Sequence, residues 1–226
     1  MSSSPDQAGN KKRIFLVDDH PLVREWLTQL IHQQADLIVC GEAETCLEAL
    51  QAIIITRPDV AIVDISLKDA SGIELIKDLA AQSPQTVVLV LSMHEEAHYA
   101  ERVLRAGAKG YVMKRETAKQ VIAAIRQVLA GQVYISEPVA THLAARAVGA
   151  RATTDWSPIS GLSDRELEVF EMLGQGKGTR DIAETLHVSL KTVQAYCARI
   201  KEKLRLKGAT ELLREAVRWH DRARQT

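Results

Sequence analysis

Aromatic side chains are scarce, at 4 % of the 226 residues, so a core has to be built from the aliphatic residues that dominate a hydrophobic content of 46 %. Cysteine is scarcer still. Cys40, Cys46 and Cys197 are odd in number and match no zinc-ligand spacing, which excludes a disulfide framework and points to a reducing, cytoplasmic setting. No run of about 18 apolar residues occurs, so neither a transmembrane span nor a membrane partner is expected. The opening MSSSPDQAGNKKR lacks the apolar stretch of a signal peptide, and residues 1–12 read as a disordered lead. An excess of one charge is also missing, since 29 Lys and Arg face 29 Asp and Glu. That balance excludes a wholly basic nucleic-acid coat and an acidic disordered tail, but not a local patch of either sign. Neither a G-x-x-x-x-G-K-S/T loop nor a G-x-G-x-x-G after a strand is present, so the chain carries no nucleotide-phosphate cradle of its own. With one domain per ~150 residues, the length fits one large domain or two small ones.

What is present falls into two kinds of pattern. From Arg13 to about Ala130, short apolar runs alternate with helical stretches. The runs are Ile14–Val17, Leu37–Cys40, Val60–Val63, Thr86–Leu91 and Tyr111–Met113, apolar at consecutive positions, as strands read when helices cover both faces of a parallel sheet. Amphipathic segments near 21–34, 45–56, 71–82, 95–107 and 117–130 lie between and after them. Pro21 suits a first helical turn, while Arg57-Pro58 and Gly107 suit helix ends. Five strand–helix units in this length predict an α/β doubly wound, flavodoxin-like domain over residues 13–131 with five parallel strands. Strand order is not readable from one sequence, but the flavodoxin-like order 2-1-3-4-5 fits this size. After Gly131 no further strand is expected. Residues 132–160 read as one more helix, 136–147, followed by a linker of small and turn-forming residues. Residues 161–226 then read as an all-α domain of four helices near 163–173, 179–186, 189–205 and 210–220.

In a doubly wound sheet, ligands bind beyond the carboxyl ends of the strands. Here strand one ends in Asp18-Asp19, strand three in Asp64, strand four in Ser92 and strand five in Lys114. Taken singly, an Asp there is an ordinary helix cap, a Ser a turn former and a Lys a solvated surface residue. Together they place three carboxylates, a hydroxyl and an ammonium on one rim. Close carboxylates repel unless a cation sits among them, and hard oxygen ligands favour Mg²⁺. A carboxylate beside Mg²⁺ is a competent nucleophile towards a phosphoryl group.

The segments IFLVDDHPLVR, PDVAIVDISLKDASGIEL, VVLVLS and AGAKGYVMK, in this order across residues 13–130, resemble the receiver domains of two-component response regulators. The resemblance implies that Asp64 is the phosphoacceptor and that Asp18, Asp19, Asp64 and the backbone carbonyl of Ser66 hold Mg²⁺. It also implies that Lys114 and Ser92 contact the phosphoryl group and that Tyr111 is the switch aromatic, turning inward as Ser92 moves. Two positions depart from the pattern: Lys68 and Arg115 each stand where the family often has Pro.

In the C-terminal part, Ser163 and Glu166 have capping-box spacing, Thr179 is a candidate cap for the next helix, and Val188-Ser189 is a tight turn into a longer one. Two helices so joined are a helix-turn-helix candidate. In the longer helix Val193, Cys197, Ile200 and Leu204 share a core face, and Cys197 reads as a small buried hydrophobe. Lys191, Gln194, Ala195 and Ala198, flanked by Arg199, share the opposite face. Between Ser189 and Gly208 six basic residues accompany one acid, which suits a phosphate backbone, although a solvated helix face reads the same way. The stretch LSDRELEVFEMLGQGKGTRDIAETLHVSLKTVQ resembles the LuxR-type DNA-binding domain, and the whole chain resembles the NarL/FixJ-type response regulators. That resemblance implies that Gln194, Ala195 and Ala198 face bases, while Ser189, Lys191 and Thr192 anchor to phosphate. It implies a sensor histidine kinase as phosphodonor, double-stranded DNA and a second copy of the chain as partners, and RNA polymerase as a further candidate. Gln194 and Tyr196 stand where the family often has Lys and His, so the preferred DNA site should differ from that of the commonest members.

No enzymatic turnover is expected. The competing enzyme reading, a Mg²⁺-dependent phosphatase using Asp64, predicts an acid two residues after the nucleophile, where Ser66 stands. A second alternative is a regulator that binds DNA without phosphorylation.

Overall fold

A computed structural model of the protein describes residues 11–68, 70–147 and 158–223. Residues 1–10 of the expected lead and 148–157 of the expected linker lie outside the described residues. The chain divides into two compact units between Ala140 and Thr141.

The first unit alternates β1 (Lys12–Val17), α1 (Pro21–His32), β2 (Leu37–Ala43), α2 (Cys46–Thr56), β3 (Val60–Val63), α3 (Gly72–Gln82), β4 (Val87–Ser92), α4 (Glu96–Ala106), β5 (Gly110–Met113) and α5 (Ala118–Leu129). The strands are parallel and run β2-β1-β3-β4-β5, so the sequence order reverses on either side of β1. Ile14, Leu16, Ile62, Leu89, Leu91 and Val112 project to one side and pack on Leu27, Ile31, Val121, Ile125 and Val128 of α1 and α5. The alternate residues Phe15, Val17, Val63, Val88 and Val90 are buried as well, which is why the runs are apolar at every position. Each such side chain contributes about 1.5–3 kcal/mol of burial. Between β1 and β2 the register slips past Cys40, from Ile14 opposite Val39 to Phe15 opposite Gly41. Any Cβ at Gly41 would lie 2.5 Å from the Phe15 ring, so the glycine makes room for it.

The helix ends follow the expected chemistry. Pro21 opens α1, Arg57 ends α2 in the left-handed conformation at φ 47°, and Gly107 ends α4 at φ 119°. A further helix, α6 (Glu137–Ala147), spans the division between the units.

Among the described residues beyond α6, the second unit has a 3-10 turn over Pro158–Gly161 and the helices α7 (Asp164–Gly174), α8 (Thr179–Thr185), α9 (Leu190–Lys203) and α10 (Ala209–Ala223). Leu167, Phe170, Ile182, Val193, Ile200 and Ala216 are fully buried, and the rings of Phe170 and Trp219 lie 5.6 Å apart. Gly174 lets α7 approach α10 so closely that a Cβ would fall 2.5 Å from the carbonyl oxygen of Ala216. Ser163 and Glu166 form the reciprocal cap of α7. The expected cap at Thr179 is corrected: Gly178 holds the N-cap position, and its N–H donates to the Asp181 carboxylate at 3.2 Å. The acid at the third helical position accepts the N-cap N–H, so the turn is held from inside the helix with no capping hydroxyl. Among the described residues, no helix is long and apolar enough to cross a membrane.

Candidate functional site

The acidic rim is built by strands that end together. Asp18 follows β1 and Asp64 follows β3, with the Asp64 N–H donating to Val17 O at 2.8 Å, so neighbouring strands deliver both carboxylates to one place. The His20 N–H donates to Asp18 Oδ1 at 2.9 Å, and the His20 ring Nδ1 lies 2.7 Å from Asp19 Oδ1. Oxygen and nitrogen atoms of Asp18, Asp19, His20 and Asp64 all lie within 4.8 Å of one another. Behind them, α3 begins against the end of β3. A Cβ on Gly72 would overlap the backbone oxygen of Asp64, so only glycine permits that approach.

Lys114 closes the cluster. Its Nζ is 2.6 Å from Asp18 Oδ2 and 2.7 Å from Asp64 Oδ2, with 7 % of its side chain exposed against 4 % for each acid. One ammonium thus bridges two buried carboxylates, while Asp64 Oδ1 is buried without a hydrogen-bond partner. Burial pushes the Asp64 carboxyl above the ordinary carboxylate range; Lys114 opposes that and the charge of Asp18 adds to it. For Lys114, burial acts to lower its pKa, but the two carboxylates outweigh it and hold the ammonium above its ordinary value.

Ser92 ends β4 fully buried, and the His94 N–H points at its Oγ from 3.4 Å. Ser66, two residues beyond Asp64, places its Oγ 2.7 Å from His94 Nε2. Tyr111 is only 1 % exposed and donates its hydroxyl to the His94 carbonyl at 2.8 Å. The structure therefore brings Asp18, Asp19, Asp64, Ser66, Ser92 and Lys114 to one rim. The Tyr111 ring lies inward, where the His94 carbonyl gives its hydroxyl a buried partner. His94 itself went unnoticed in the sequence, where nothing distinguishes it from other loop residues.

In the second unit, α8, a left-handed residue at His187 (φ 52°) and α9 form the helix–turn–helix. Ser189 caps α9 by accepting the Thr192 N–H at 3.1 Å. Val193 and Ile200 are buried, whereas Lys191, Gln194, Ala195, Ala198 and Arg199 are all exposed. Cys197 is half-buried rather than buried, a free thiol whose pKa is raised by burial. Arg199 lies over the Tyr196 ring at 5.8 Å. One member of the basic stretch is committed elsewhere: Lys203 Nζ holds Glu166 Oε2 at 2.6 Å, tying α9 to the cap of α7.

An α/β unit with three acids and a lysine at its strand ends, joined to a helix–turn–helix unit with a wet polar helix, defines a regulator that couples a signal-receiving domain to DNA. Comparison with known proteins agrees. Residues 14–126 match the response regulator receiver domain, and residues 160–216 match the bacterial regulatory proteins of the luxR family. The chain belongs to the response regulators of the NarL/FixJ type, with a receiver and a LuxR-type DNA-binding domain. It is 36 % identical to the oxygen regulatory protein NreC of Staphylococcus epidermidis over 211 residues, covering 91 % of this chain and 97 % of that protein. Among solved structures it is similar to a LuxR-family response regulator from Aurantimonas, with 33 % identity, TM-score 0.57, and 62 % of this chain and 99 % of that one covered. It is also similar to RcsB of Salmonella enterica serovar Typhimurium bound to promoter rprA with the phosphomimetic BeF3-, with 25 % identity, TM-score 0.60, and 91 % and 98 % covered.

Proposed function

We propose that the protein is a cytoplasmic transcription regulator switched by phosphorylation of Asp64, with a sensor histidine kinase as donor. The observation that carries this reading is the bridge of Lys114 across Asp18 and Asp64, with Asp64 Oδ1 left buried and unpartnered. A buried polar atom without a partner is costly unless something else meets it. The donors around it are three carboxylates with the His20 ring beside them; the oxygens fit Mg²⁺, and Asp18, Asp19, Asp64 and the carbonyl of Ser66 would hold the ion. Bound there, Mg²⁺ supplies charge neutralisation for the carboxylates and the incoming phosphoryl oxygens.

In the reaction, Asp64 Oδ1 attacks phosphorus, the P–N bond of a phosphohistidine breaks, and its electron pair returns to the imidazole. Lys114 stays with the cluster and contacts a phosphoryl oxygen, and the Ser92 hydroxyl donates to another. Both Ser92 and Tyr111 bond to the backbone of His94, so a shift of Ser92 towards the phosphoryl group reaches the Tyr111 hydrogen bond through one residue. The altered surface then promotes a homodimer and DNA binding. On DNA, Ser189, Lys191 and Thr192 hold phosphates, and Gln194, Ala195, Ala198 and the flanking Arg199 meet base edges.

DNA affinity measured with and without beryllofluoride tests the reading. The Asp64→Asn variant should lose the response entirely, and a full response in it overturns the assignment. The inward Tyr111 favours one other reading, DNA binding independent of phosphorylation, which predicts equal affinity of the wild type in both conditions.

A further inference from the structure

We propose that Arg24, Glu44 and Lys68 form an ionic strap that positions the metal-binding carboxylates by tying the loop after β1 to the loop after β3; this rests on the reading of the acidic rim as a phosphorylation site. Arg24 lies in the second turn of α1 with 9 % of its side chain exposed. Its Nη1 donates to the backbone carbonyl of Asp18 at 2.6 Å, and its Nη2 donates to Glu44 Oε1 at 2.6 Å. The other Glu44 oxygen accepts Lys68 Nζ at 3.0 Å. Three side chains thus run from the carbonyl of the first acid to a residue four places beyond Asp64 and two beyond Ser66.

The sequence gives this arrangement a reason. Lys68 stands where similar chains often have Pro, and a proline stiffens the backbone by fixing its own φ. Lysine has no such restraint, so stiffness in this loop must come from a contact, and Glu44 provides it. Arg24 is suited to the other end because a guanidinium is a rigid fork that can serve a carbonyl and a carboxylate at once, which an ammonium on a flexible stem cannot. Burial of its charge is sustained by these acceptors together with Glu42 Oε2, 3.5 Å from Nε. The hydrogen bonds from Lys68 and Arg24 also hold the Glu44 carboxyl below its ordinary pKa, so the strap keeps its negative centre in mild acid. Groups that orient metal ligands from outside influence affinity strongly, about 10–100-fold in other metal sites. Arg24 is therefore a positioning residue, and Glu44 and Lys68 act through it and through the acceptor loop.

Isothermal titration of the full chain with Mg²⁺ tests the strap. Arg24→Gln should weaken Mg²⁺ about tenfold, and Lys68→Ala about twofold to threefold. Arg24→Lys, which keeps the charge without the fork, should fall between wild type and Arg24→Gln. In a Glu44→Ala background, Lys68→Ala should add nothing, because its partner is already gone. With acetyl phosphate as donor, the Mg²⁺ concentration for half-maximal rate should rise while the rate at saturating Mg²⁺ is retained. Wild-type Mg²⁺ affinity in folded Arg24→Gln and Lys68→Ala, or additive losses in the Glu44→Ala background, overturns the strap. If Arg24→Gln fails to fold, the Glu44 and Lys68 variants decide alone. A wild-type chain that takes up no Mg²⁺ removes the phosphorylation-site reading along with the strap, whereas equal uptake by wild type and variants removes the strap only.

Discussion

The receiver keeps the charges of its acidic rim dry, and the DNA-binding unit keeps those on the outer face of α9 wet. Asp18, Asp64 and Lys114 are nearly sealed from solvent, while Lys191 and Arg199 stand exposed on α9. The difference suits the two proposed tasks. A phosphoryl acceptor needs a low-dielectric pocket where one ammonium and one cation weigh heavily, even though crowding carboxylates there opposes folding. A surface that meets a phosphate backbone needs charges that exchange counterions freely, and those add little to stability. Lys203 of the same stretch keeps 40 % of its side chain exposed while holding the buried Glu166 at the cap of α7.

Removing Lys114 should break the comparison most sharply. Lys114→Ala leaves Asp18 and Asp64 buried together without their shared partner, which should cost about 3 kcal/mol in denaturant unfolding. Added Mg²⁺ should restore part of the loss. Lys191→Ala, an exposed charge of the same sign, should change stability by less than about 0.5 kcal/mol. Equal effects of the two substitutions would erase the distinction between dry and wet charge.

DNA binding separates the wet face further. Gln194→Ala should cost about 1–3 kcal/mol at one base pair and relax the preference there, read by binding-site selection. Lys191→Ala should instead weaken binding to all sequences and reduce the slope of log affinity against log salt by about 1. A sequence-dependent loss on Lys191→Ala would move that residue from backbone to base contact.

The wet and dry regions were not equally legible in the sequence. Five strands could be read because covering both faces of a sheet forces consecutive apolar residues, and the exposed face of α9 could be read from its helical period; the strand order could not be read and only fitted a domain of this size. Asp18, Asp64, Ser92 and Lys114 could be placed on one rim because each ends a strand. Links between distant segments were illegible. Nothing near Tyr111 announces that its hydroxyl meets His94, and nothing near Lys203 announces Glu166, because each pair is brought together by packing between elements. The cap of α8 was misread for a local reason: a Thr after two glycines looks like a cap until Asp181 is seen to reach back to Gly178. Strand β2 runs on to Ala43 through Gly41 and Glu42, where an edge strand tolerates residues that end an apolar run.

The smallest expected effect concerns pH and bears on both regions with opposite sign. Burial holds the folded pKa of Asp64 above its unfolded value, so its contribution to stability is full below the unfolded pKa and is lost as pH rises through the folded one. The cost of charging this buried carboxyl as pH rises therefore opposes folding, and Asp64→Asn should raise the thermal midpoint of the full chain at neutral pH. The advantage should shrink as pH falls into the carboxylate range. Glu166 behaves in reverse: burial raises its pKa, but Lys203 and the Ser163 cap outweigh burial and hold the folded value below the unfolded one. Its contribution is present above the unfolded pKa and lost as pH falls through the folded value, so Glu166→Gln should lower the midpoint at neutral pH and matter less in acid. Calorimetric scans of the two variants across this range should give curves of opposite sign that converge at low pH. A midpoint below wild type for Asp64→Asn at neutral pH would make the Lys114 bridge stronger than burial, and the acidic rim would then be a stabilising ion pair instead of a charge held at the expense of stability.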